Sequence, residues 1–114
     1  MAKIELKSEK KGTVLCVSFI GSLDASTVSE LETDLNPVVE AHTGSFVYDL
    51  KGLEYISSAG VGFFMQKNDE TAKRNAILIF SGLTPKVQKV FTVLNLYKHF
   101  KIVETIDQAL STLK

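Results

Sequence analysis

The sequence predicts an α/β fold of one domain, with helices packed on a mostly parallel sheet. Three observations carry this. Short apolar runs alternate with longer amphipathic segments in the order β-β-α-β-α-β-α-β-α, and strand–helix–strand repetition needs crossovers that leave neighbouring strands parallel. One run, "AILIF" at 76–80, is apolar throughout, as a central strand covered on both faces requires. The chain has 114 residues, 45% hydrophobic and 23% charged, enough for one hydrophobic core and not two. Four or five strands and about four helices are expected over residues 1–114.

In chain order, Ile4 and Leu6 alternate with charged residues, as in a short edge strand. A turn at 10–12 joins it to "TVLCVSFIG", a second strand with both faces largely covered, and the two should form a hairpin. Val28, Leu31, Leu35, Val38 and His42 then recur at helical spacing. Asp24 or Ser26 is the expected cap of that helix, and Pro37 should kink it rather than end it. "SFVYDL" is the third strand and "KGLEY" a short connection. A helix beginning near the serine pair of "LEYISSAGVG" leads to the strand "AILIF". A third helix takes Thr84 as cap and Pro85 at its first position, with Val87, Val90, Phe91 and Leu94 as its stripe. "KIV" is a short final strand. A last helix has Thr105 and Gln108 at capping-box spacing, with Ile106, Leu110 and Leu113 facing inward.

Composition excludes several functions. The 13 basic and 13 acidic residues balance, and nothing presents the basic face of a nucleic-acid binder. "KSEKKG" at 7–12 reads as a charged hairpin turn. The one cysteine, Cys16, cannot form an internal disulfide and reads as a small apolar residue on a buried strand. No charged-then-apolar leader opens the sequence and no apolar run approaches ~20 residues, so no membrane insertion and a reducing cytoplasm are expected.

Ser57 and Ser58 fall where a turn after a strand meets the next helix, and such turns are where ligands and partners meet open α/β sheets. Either serine can cap that helix, and a capping serine is also a surface hydroxyl. A nucleophilic serine would need a base and a sharp G-x-S-x-G turn. The two histidines, His42 and His99, accompany no such turn, and "GVG" lacks the further glycine and the lysine of a phosphate loop. At about 100° per residue, Val61, Phe64, Met65, Asn68 and Ala72 share one side of the helix, taken to face the sheet. Ala59, Gly62, Phe63, Gln66 and Glu70 fall opposite. Small residues permit close approach of another surface, and Phe63 reads either as a docking anchor or as a stray surface aromatic.

"DLKGLEYISSAGVGFF" and "GSLDAST" resemble the two characteristic segments of the STAS domain, the fold of bacterial anti-sigma factor antagonists. The element order is similar over essentially the whole chain. The resemblance implies a phosphorylatable protein-binding switch with no cofactor, metal site or catalytic residue of its own. It places the phosphate acceptor at Ser58, followed by Ala59 and Gly60. Ser57 stands where the family frequently has Asp and ranks second as acceptor. Asp24 matches an acidic residue that lies near the acceptor. The implied partner-binding set is Asp24, Ser57, Ser58, Ala59, Gly60, Gly62, Phe63 and Gln66. The implied partners are an anti-sigma factor that is itself a serine kinase with bound ATP, and a metal-dependent serine phosphatase. Oligomeric state is left open. The alternative is an accessory or scaffold subunit of a signalling assembly or transport complex that is never phosphorylated. A nucleotide sensor has the thinnest support.

Overall fold

The structure is a computed structural model and describes residues 3–113. Strands β1 (Ile4–Lys11) and β2 (Val14–Leu23) form an antiparallel hairpin that pairs from Lys11↔Val14 to Ile4↔Gly21. Gly12, at φ +63°, supplies the left-handed residue of its tight turn. Helix α1 (Val28–Glu40) leads to β3 (Phe46–Asp49), then β4 (Leu53–Ile56), α2 (Ser58–Lys73) and β5 (Leu78–Ser81). Helix α3 (Pro85–Val93), a 3₁₀ turn at Leu96–Lys98, β6 (Lys101–Val103) and α4 (Ile106–Thr112) complete the chain.

The sheet runs β1-β2-β3-β5-β6, and every pairing except the first hairpin is parallel. Both β3 and β5 are buried along their whole length, as the unbroken apolar run of the latter predicts. The sheet has six strands, one more than the upper expectation. The difference is "LEYI", expected as connection and found as β4. Strand β2 is long enough to pair twice on one side, with β3 through Leu15–Ser18 and with β4 through Gly21–Leu23. A register shift between Gly21 and Ser22 buries Leu53 and Ile56 while Glu54 and Tyr55 stay exposed, so β4 lacks the alternation that marks a strand.

The larger core lies on one face of the sheet. Phe19, Tyr48 and Phe80 from the strands meet Leu31 and Leu35 of α1, Phe64 of α2 and Phe91 of α3. Tyr48, Phe64 and Phe80 touch edge to face or tilted at 5.1–6.1 Å between centroids. On the other face, Ala109 of α4 covers Cys16, Val47 and Ile79. Burial pushes the Cys16 thiol above its ordinary pKa, which suits a packing role rather than a reactive one.

Helix α1 continues through Pro37 to Glu40. Its start differs from expectation: Thr27 is the N-cap and its side chain makes no cap bond. The Thr27 hydroxyl instead donates to Ser22 O (2.9 Å) and accepts from Asp24 N (3.0 Å), while the Asp24 carboxylate accepts from Ser26 N (2.8 Å) and Oγ (2.6 Å). The segment thus spends its side chains on a self-bonded turn and not on the helix end. Thr84 at the start of α3, with Pro85 at its first position, and the Thr105–Gln108 capping box of α4 are as the sequence predicts.

Candidate functional site

Two parallel strand ends build the site. Leu23 pairs with Ile56, and the Ser57 amide donates to the Leu23 carbonyl at 2.9 Å. This joins the end of β2, at the third residue of "GSLDAST", to the start of "SSAGVG". Ser57 is the N-cap of α2: its backbone is extended (φ −100°, ψ 177°), and its hydroxyl accepts from Gly60 N at 3.4 Å. Ser58 is therefore the first helical residue, and it is exposed. The first intrahelical bond is Val61 N to Ser57 O (3.0 Å), which leaves the Ser58 and Ala59 amides ahead of the hydrogen-bond ladder. No acidic residue lies in the first turn. The pair divides two tasks: Ser57 holds the helix end, and Ser58 presents a hydroxyl to solvent at its positive pole.

Gly60 makes this placement possible. A Cβ there would stand 2.8 Å from the Leu23 carbonyl oxygen, too close for any other residue. Gly60 is accordingly buried, a packing position rather than part of an accessible partner surface.

Phe63 needs the larger correction. Expected on the exposed face, it is 3% exposed and belongs to the core, 6.0 Å from the Phe64 ring. The buried face of α2 comprises Gly60, Val61, Phe63, Phe64, Lys67 and Thr71. At 100° per residue that arc is rotated by roughly 80° from the expected one. Met65 and Ala72, assigned to the sheet side, are exposed, and Asn68 is half-buried. The misleading residue is Lys67. It sits in the middle of the true stripe, 5% exposed, with Nζ 3.2 Å from Glu70 Oε1, 3.3 Å from Asn36 Oδ1 and 5.4 Å from the Phe63 ring centroid. A charge that is paired and lies over an aromatic face can be buried, but no pattern of apolar residues announces it.

Ala59, Gly62 and Gln66 are exposed as expected. Asp24 lies one residue past the Leu23 contact and is half-buried. The hydrogen bond from the Ser26 hydroxyl holds its carboxyl below the ordinary 3.8, so it is an anion at neutral pH with one oxygen committed to its own turn.

The apolar surface beside Ser58 comes from other elements. A groove of about 520 Å³ is lined by Tyr55 of β4, Ser57, Ser58, and Lys89, Val93 and Leu94 near the end of α3. Leu94, expected in the inward stripe, is 47% exposed, and Val93 is 73% exposed. Val93 was the available signal, an apolar residue off the phase of its own helix. Thr84, whose hydroxyl donates to Leu53 O at 3.1 Å, ties the start of α3 to β4 and forms this side of the site. Among the described residues there is no cluster of three potential metal ligands, and no helix is long and apolar enough to cross a membrane.

Comparison with known proteins agrees with this architecture. A Bordetella bronchiseptica protein named "Putative anti-sigma factor antagonist BtrV" is 24% identical over 111 residues, covering 97% of this chain and 96% of its own. The crystal structure of an anti-sigma factor antagonist from Mycobacterium paratuberculosis superposes with a TM-score of 0.84 at 23% identity, covering 96% of this chain and 93% of that one. The Bacillus cell fate determinant SpoIIAA, solved in its phosphorylated form, gives a TM-score of 0.69 at 17% identity, covering 96% of this chain and all (100%) of that one. The family model for the STAS domain matches residues 5–109, both segments of the site included, and the chain belongs to that family.

Proposed function

We propose that the chain is an anti-sigma factor antagonist that works as a phosphorylation switch at Ser58. The unphosphorylated form binds an anti-sigma factor that is also a serine kinase, and this binding frees the sigma factor. The kinase then passes the γ-phosphoryl group of ATP to Ser58 Oγ. The bond from phosphorus to the ADP oxygen breaks, and the hydroxyl proton goes to a base on the kinase. The complex dissociates. A serine phosphatase resets the switch by hydrolysing the ester to serine and inorganic phosphate.

One observation carries this reading: Ser58 is an exposed first-turn residue of α2, anchored by its capping neighbour Ser57 against the Leu23–Asp24 strand end. The relatives named as anti-sigma factor antagonists, and SpoIIAA with its phosphorylated form, support it. Phosphate adds about −1.5 to −2 charge and three acceptor oxygens. At the start of α2 these meet free amides and the positive helix pole, so the fold tolerates them. A partner lying on Ala59, Gly62 and Gln66 does not. A penalty of ~3 kcal/mol weakens binding more than a hundredfold, so no large conformational change is needed.

The test is incubation of the purified chain with an anti-sigma factor kinase and Mg-ATP, followed by peptide mass spectrometry. Phosphate on Ser58, and none on Ser58→Ala, is the expected result. Modification at Ser57 would move the acceptor. A stable complex that never becomes phosphorylated would favour the accessory or scaffold role.

A further inference from the structure

The groove beside Ser58 combines exposed apolar side chains with an uncompensated positive charge. Tyr55, Val93, Leu94 and Tyr97 are four of the six large hydrophobic residues left exposed among the described residues, at 47–73%. Three of them line the groove. The chain as a whole is neutral, but between Thr71 and Val103 it carries Lys73, Arg74, Lys86, Lys89, Lys98 and Lys101 and no Asp or Glu. Lys86 and Lys89 stand one turn apart on the exposed side of α3. Neither forms an ion pair among the described residues. Lys89 lines the groove together with Ser58, and it is the one charged residue that does.

Resting on the function proposed above, we infer that this groove docks an acidic, apolar segment of the anti-sigma factor partner, and that phosphate on Ser58 expels the segment by taking the Lys89 ammonium for itself. The apolar walls exclude water around the docked side chains, and the lysines select an acidic partner and speed its approach. After modification, the groove holds its own dianion close to Lys89. The phosphate then does two things to the partner: it removes the cation the segment needs, and it repels the segment's carboxylates. Ser58, which the kinase has to reach, is itself among the lining residues, and this favours a segment of that partner over a lipid surface.

Phosphoserine encoded at position 58, installed without any kinase, tests the latch directly. The side-chain ammonium resonance of Lys89 should shift relative to the unmodified chain, while that of the buried Lys67 should not. An unmoved Lys89 resonance overturns the latch. For docking, the Lys86→Gln/Lys89→Gln double variant should bind the anti-sigma factor kinase about tenfold more weakly than the unmodified chain. Its affinity should also depend less on salt. Val93→Asp should weaken binding at unchanged circular dichroism. Affinity unchanged in both variants overturns the docking site. Binding of the unmodified chain to phosphatidylglycerol vesicles, lost in the double variant, would reassign the groove to anionic lipid. A chain that binds no such kinase fails the function proposed above, whereas the Lys89 resonance reports on the latch independently of that failure.

Discussion

Gly60 and Leu23 touch so closely that the space of a single methyl group decides where α2 begins. A Cβ on Gly60 would lie 2.8 Å from the Leu23 carbonyl oxygen, the same oxygen that accepts the Ser57 amide. The contact lets two parallel strand ends, a capping serine and an exposed serine share one corner of the sheet. Gly60→Ala should destabilise the fold by about 1–3 kcal/mol, because the obstacle is backbone and cannot rotate away. Gly62→Ala is the control. Nothing lies within 4 Å of its Cβ, and the gain in helix propensity should stabilise by ~0.5–1 kcal/mol. Urea unfolding of both variants checks the pair.

The serines should separate in stability as they do in geometry. Ser57→Ala removes the side chain that accepts from Gly60 N and should cost about 1 kcal/mol. Ser58→Ala removes an exposed hydroxyl and should change stability by less than ~0.5 kcal/mol. Equal losses in denaturant unfolding would show that both serines hold the helix end.

Phe63→Ala should cost about 3–5 kcal/mol, since its ring is buried against Phe64 and beneath the Lys67 ammonium. A surface anchor would lose no stability. Thermal and denaturant unfolding separate the two, and Phe63 is on this account a core residue whose loss impairs binding only through the fold.

Asp24 links the site to pH. The Ser26 hydroxyl holds its folded pKa below the ordinary 3.8. A depressed carboxyl contributes stability above its unfolded pKa, and that contribution is lost as pH falls through the folded value. The effect is therefore complete at neutral pH and disappears only in acid below 3.8. Carboxyl-carbon NMR titration should place the Asp24 midpoint below that of an unfolded peptide, and Ser26→Ala should raise it.

Periodicity and cap chemistry made part of the fold legible in the sequence, but not the start of α1, where Thr27 and not Asp24 or Ser26 is the N-cap, nor the buried face of α2. The covered strands, the α1 stripe of Leu31 and Leu35, the Thr84–Pro85 start of α3 and the capping box of α4 follow from local rules. The exposed Ser58 at a helix start was legible in the same way. Strand β4 was not, because Glu54 is left without a partner between the Gly21↔Leu53 and Ser22↔Tyr55 pairs, and that bulge, which only the pairing with β2 reveals, sets the buried residues of β4 out of alternation. The face of α2 was misjudged because Lys67 is buried by partners as distant in sequence as Asn36. The groove was hidden for a related reason. Tyr55, Val93 and Leu94 are apolar residues left outside, and only tertiary placement shows that they surround Ser58.

The most direct test of the switch compares the affinity of one purified anti-sigma factor kinase for the unmodified chain and for the chain carrying phosphoserine only at position 58, by calorimetric titration. The account predicts a loss of at least about a hundredfold with the melting temperature essentially unchanged. Equal affinity, or a modified chain that has lost its fold, would contradict it.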